Sequence, residues 1–139
     1  MEKKADGHHL VLGTLTDRLT GEPLEDTHDE RYRQKLVRLL LTDKGYFKGD
    51  IIARRELTAR ADDRRGMLRV DFLVRPAERI GMIIRYGPGS LVTRHRPALA
   101  ISRLMAPYQI PVAIAANGGD ADILDGATGK VLAAGLAAI

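Results

Sequence analysis

A chain of 139 residues with no cysteine is long enough for one substantial core, and it excludes disulfides and thiolate metal sites. No apolar run is long enough to span a membrane, and Met1-Glu2-Lys3-Lys4 leads into Ala5-Asp6-Gly7 rather than an apolar signal segment, so a cytoplasmic protein is expected. The formal charge of +4 is uneven: residues 1–50 hold 9 Lys/Arg against 10 Asp/Glu, while residues 51–139 hold 13 against 8, and every cation from Arg54 to Arg103 is arginine. Arginine presents a rigid fork of donors that suits phosphate. A nucleic acid or another polyanion is therefore a candidate partner, with a solvated basic face as the plain alternative.

Residues 1–9 read as a disordered start, and His8-His9 as an incidental pair without a third ligand nearby. Leu10-Val11-Leu12, Gly13-Thr14-Leu15 and Leu24, around the turn candidate Thr20-Gly21-Glu22-Pro23, read as a short strand or hairpin. A helix is expected from about Asp29 to Lys44. Thr27 is its N-cap, Glu30 completes a Thr-x-x-Glu capping box, and Gly45 is the stop. Tyr32, Leu36, Leu39 and Leu40 fall on one face of it.

Asp50-Ile51-Ile52-Ala53 and Leu57 predict a strand, Asp62 to Gly66 a turn, and Leu68 to Val74 a second strand. By the period of two, Val70, Phe72 and Val74 share one face, and Asp71 lies on the other with Leu73. Ile80 to Tyr86 reads as a third, central strand, broken by Gly87-Pro88-Gly89. Pro97 suits the first turn of a second helix running to about Ala106, with Ala98, Ile101, Leu104 and Met105 inward. Val112 to Ala116 is a strand buried on both faces, Asn117-Gly118-Gly119 a turn, and Ile123-Leu124 with Lys130-Val131-Leu132 a closing hairpin. The second helix crosses between two apolar strands as a βαβ unit does. The expected fold is an α/β sandwich around a mixed sheet, preceded by an extension over residues 1–26.

The stretch Met67 to Tyr86 places Asp71 on one strand and Arg85 near the end of the next. Together with the helix Asp29 to Lys35 leading to Lys44-Gly45-Tyr46, and the later Gln109-Ile110-Pro111 to Asn117-Gly118 segment, it resembles the N-terminal nuclease domain of type I restriction enzyme R subunits, in the PD-(D/E)xK superfamily. The likeness is strongest to the small stand-alone proteins grouped with that domain. It covers most of the chain from Thr27 to Ile139. It implies a restriction-endonuclease-like α/β/α sandwich with a mixed central sheet over residues 27–139.

By that resemblance Glu30 matches the helix acid and Asp71 the strand acid, both ligands of a divalent metal. Ile83 stands where the second acid belongs, and Arg85 where the lysine belongs. Mg²⁺ wants hard oxygen ligands in near-octahedral geometry, and Ile83 supplies none from its side chain. Mg²⁺ binding is therefore expected to be weak or absent. Arginine keeps its proton, so Arg85 can stabilise a phosphate but is a poor general base.

Bland roles stand beside these. Glu30 can serve as a cap alone, Asp71 can face solvent paired with an arginine, and Arg85 can pair with Asp71 across the strands. Gly87-Pro88-Gly89-Ser90 is a turn before it is a phosphate cradle. Arg94-His95-Arg96, ahead of a helix N-terminus, is the best local candidate for binding a nucleic-acid phosphate, against a solvated loop. Three functions stay open: a nuclease-like protein associated with nucleic acid whose phosphodiester hydrolysis is weakened or lost, an active Mg²⁺-dependent DNA endonuclease, and a non-catalytic protein-interaction module. The chain has no Walker motif, so a translocase motor would be another polypeptide. DNA versus RNA and the oligomeric state are left open.

Overall fold

The computed structural model describes residues 13–61 and 64–139, with side chains described outside residues 59–65. The expectations for residues 1–9, His8-His9, Leu10 to Leu12 and the Asp62-Asp63 pair lie outside the described residues. Contacts divide the chain into two compact units, one ending at Lys48 and one spanning Gly49–Ile139.

The first unit holds a two-stranded antiparallel hairpin, β1 (Thr14–Thr16) with β2 (Pro23–Glu25), and helix α1 (His28–Arg38). α1 starts where the sequence signals it. Thr27 is extended and its hydroxyl accepts from the Glu30 N–H at 3.1 Å, supplying one of the partners a helix start lacks. Asp29 and Glu30 in the first turn, and Lys35 and Arg38 in the last, oppose the helix dipole favourably. The helix then widens into a π turn, Leu39–Asp43, in which Lys44 N–H reaches the Leu39 carbonyl at 3.0 Å. Gly45 follows at φ 75°. Leu36, Val37 and Leu40 are buried, whereas Tyr32 is 37% exposed and lies off the buried stripe where periodicity had put it.

The second unit is a six-stranded mixed sheet in the order β3 (Ile51–Ala61), β4 (Arg64–Val74), β5 (Met82–Tyr86), β6 (Val112–Ala116), β7 (Ala121–Asp125) and β8 (Val131–Ala134). Sheet order follows chain order. Among the described strands only β5 and β6 are parallel, and helix α2 (His95–Ser102) makes the crossover between them, as parallel neighbours require. The expected α/β fold with a mixed sheet is what the chain adopts. Arg64 to Gly66 belong to β4 rather than to a turn. α2 packs against β5, β6 and β7.

Both sheet faces are apolar. Leu73, Ile83, Ala113 and Leu124 form one cross-strand row, and Ile101 of α2 with Ile110 packs into the same cluster. Phe72, Ile84, Ile114 and Ile123 form the row on the other face, all buried. Val70 joins the cluster of Leu73, three residues away, instead of Phe72 and Val74 alone. The alternation changes phase at Asp71, where the β3–β4 pairing skips Arg54–Asp71 and Arg54 takes a φ of 55°.

α2 ends at Ser102, short of Ala106. The Ser102 hydroxyl donates back to the Leu99 carbonyl at 2.6 Å, and Leu104 N–H closes a tighter turn on Ile101. Leu104 is thereby 52% exposed, while Met105 still packs on the core. Among the described residues no helix is long and apolar enough to cross a membrane.

Candidate functional site

Asp71 sits where β5 stops pairing with β4. The ladder runs Val74–Met82, Leu73–Ile83, Phe72–Ile84 and ends there. One step further the Asp71 carboxylate accepts the Tyr86 backbone N–H at 2.7 Å. A side-chain oxygen thus takes over a donor that a β4 carbonyl would have met had the ladder continued. Asp71 is 4% exposed, so the solvent-facing reading of it is wrong.

Ile83 is fully buried in the Leu73–Ile83–Ala113–Leu124 row. Two residues on, Arg85 is half-buried and shares the α2 face with its register partners Ala115 and Asp122. Among the described residues no carboxylate pairs with Arg85. The cross-strand Asp71–Arg85 pair is therefore not formed, and the guanidinium is available for an anion.

Asp122 meets His95, the first residue of α2, with Nε2 to Oδ2 at 2.7 Å. The sequence offered no signal for this pair, because the two residues lie 27 apart and meet only once β7 is in the sheet. Arg94, His95 and Arg96 do three different things. Arg94 Nε donates to the Pro88 carbonyl at 3.2 Å, and its guanidinium occupies the space a side chain at Gly87 would need. Asn117 Nδ2 donates to the Gly89 carbonyl at 3.0 Å. Gly87 to Ser90 is thus a braced turn. His95 is held by Asp122, and Arg96 lines a cavity with Arg103.

In the first unit the Glu30 carboxylate does not act as the reciprocal cap, since the Thr27 N–H goes to the Glu25 carbonyl at 3.0 Å. Instead Glu30 Oε2 accepts from Gln34 Nε2 at 3.4 Å, and Oε1 lies 4.0 Å from Arg33. Gln34, which sequence reasoning passed over, also reaches buried Asp17 at 3.4 Å and accepts the Arg18 N–H at 3.0 Å. It ties the β1–β2 connection to α1. Beside it Arg31 forks onto Asp26 at 2.6 and 2.9 Å. That hydrogen bond holds the Asp26 carboxyl below its ordinary value and raises the Arg31 guanidinium above its own.

A metal needs several oxygen or nitrogen donors converging on one point. Among the described residues no three His, Cys, Asp or Glu side chains gather in that way. Ile83, on the strand next to that of Asp71, offers no side-chain oxygen to a divalent metal.

The family model described as type I restriction enzyme R protein N terminus matches residues 28–139. No curated protein and no solved structure matches the chain.

Proposed function

Since the chain belongs to the type I restriction enzyme R protein N-terminal family, we propose that it is a nuclease-like protein of restriction systems that associates with nucleic acid and has weakened or lost phosphodiester hydrolysis. In this reading residues 27–139 act as one PD-(D/E)xK-type domain. The observation that carries it is Ile83, fully buried in an apolar row at the position of the second acid, two residues before a half-buried Arg85 with an open guanidinium. An isoleucine there removes an oxygen ligand. An arginine in place of lysine keeps the phosphate contact and gives up the base.

Asp71 orders the end of β5 through the Tyr86 N–H, and Glu30 orders α1 through Gln34. Both acids have structural work that outlasts a metal. Arg85 contacts a backbone phosphate, and Arg94 positions the Gly87 turn beside it.

The test is duplex DNA binding as a function of salt, with plasmid cleavage and calorimetric titration of Mg²⁺ and Mn²⁺ on the same samples of wild type, Arg85→Ala and Asp71→Asn. Expected are salt-dependent binding weakened in Arg85→Ala, no cleavage, and no metal heat that Asp71→Asn removes. Metal-dependent cleavage lost in Asp71→Asn would establish an active endonuclease instead. Absent binding would leave a protein-interaction module.

A further inference from the structure

Beside α2 lies an open cavity of about 460 Å³ that the family comparison leaves without a role. Its walls carry Arg96, Arg103 and His95, its apolar side is Leu99 with Ala100, and Thr128 sits at its edge; none of the lining side chains is acidic. Arg96 is exposed and, among the described residues, has no carboxylate partner. Arg103 makes one long contact, 3.5 Å from Nη2 to the Ala127 carbonyl.

Two acids of β7 are already committed. Asp122 holds His95 at 2.7 Å, and Asp125 accepts the Thr128 hydroxyl at 2.9 Å and the Ala127 N–H at 3.1 Å. Two open guanidiniums that can fork onto oxygen pairs, above an apolar floor, match a ligand with a phosphate at one end and a flat ring at the other.

We propose that this cavity binds a nucleoside monophosphate unit, its phosphate between Arg96 and Arg103 and its base on Leu99. The proposal rests on the reading of the chain as a nucleic-acid protein and adds a second phosphate site to it. Asp122, which anchors the cavity's His95, lies in the same cross-strand row as Arg85, two strands away. Two strand spacings are about 9–10 Å. A strand whose phosphate rests on Arg85 therefore brings a neighbouring nucleotide to the cavity.

The experiment titrates 2′-deoxyadenosine 5′-monophosphate, deoxyadenosine and inorganic phosphate into wild type and the Arg96→Ala/Arg103→Ala double variant, reading amide chemical shifts and calorimetric heat. Duplex DNA binding and thermal melting are measured on the same samples. The expected result is nucleotide binding that perturbs residues around Leu99 and Thr128, and that weakens about tenfold or more without the phosphate, without the base, or in the double variant at unchanged melting temperature. Nucleotide binding equal in the double variant, or absent from wild type, overturns the cavity assignment. If duplex binding persists in that case, the nucleic-acid reading stands without the cavity. Mononucleotide binding with no duplex binding would keep the cavity and remove the broader reading.

Discussion

The Asp71 carboxylate accepts the Tyr86 backbone N–H at 2.7 Å, across the point where β4 and β5 separate. A buried N–H left without a partner costs about 1–3 kcal/mol. Asp71→Ala should therefore lose about that much stability in urea unfolding, whereas Asp71→Asn, which keeps an acceptor oxygen, should lose clearly less. Equal losses in the two variants would show that the carboxylate is held for its charge rather than for the bond to Tyr86.

Ile83 lies on β5, the strand next to that of Asp71. It is fully buried among Leu73, Ala113 and Leu124. Ile83→Ala should cost about 2–5 kcal/mol from lost burial and the cavity left behind. Ile83→Asp should cost more, because a carboxylate in that row would be desolvated without a partner. A near-wild-type stability for Ile83→Asp, measured by the same unfolding, would mean that the position reaches water and that an acid there is tolerable.

The sheet was largely legible because its strands are apolar runs separated by strong turn residues. The parallel β5–α2–β6 crossover followed from a helix with Pro97 set between two such runs. What failed was set by partners remote in sequence. Nothing in Leu68 to Val74 announces that Asp71 turns inward to a backbone N–H fifteen residues on. Periodicity carried the second helix through Leu104 and Met105, but a serine hydroxyl bonded back to Leu99 ends it at Ser102. Arg94, His95 and Arg96, ahead of a helix start, looked like one anion site. Their different partners, Pro88, Asp122 and a cavity, depend on how the Gly87 turn and β7 lie beside α2. Gln34 carried no signal because a glutamine in a helix is ordinary until Asp17 and Glu30 converge on it.

Two glycines separate rigid from yielding contacts. A Cβ on Gly126 would lie 1.9 Å from the Ile110 carbonyl oxygen, while the Gly126 N–H bonds Pro111 and its carbonyl accepts Gln109 Nε2 at 2.8 Å. Backbone cannot step aside there, and Gly126→Ala should cost at least about 1–3 kcal/mol. A Cβ on Gly87 would meet only the Arg94 guanidinium, the far end of a flexible side chain. Gly87→Ala should displace Arg94 from Pro88 at a cost below about 1 kcal/mol. Thermal melting of the two variants side by side gives the comparison, and a Gly87→Ala loss as large as that of Gly126→Ala would contradict it.

The Asp26–Arg31 pair predicts how the first unit responds to acid. The bond from Arg31 lowers the Asp26 carboxyl below its unfolded value. The folded state therefore binds fewer protons at that site than the unfolded state, and the pair's contribution is present above the unfolded carboxylate range. It is lost as pH falls through the lowered folded value. Arg31, raised above its own ordinary value, stays charged throughout that window. Asp26→Asn should thus be less stable than wild type at neutral pH, with the gap closing as the solution is acidified below about pH 4. Urea unfolding followed by helix circular dichroism at a series of pH values checks it. A gap that stays constant into strong acid would mean that Arg31 serves α1 by packing rather than by its charge on Asp26.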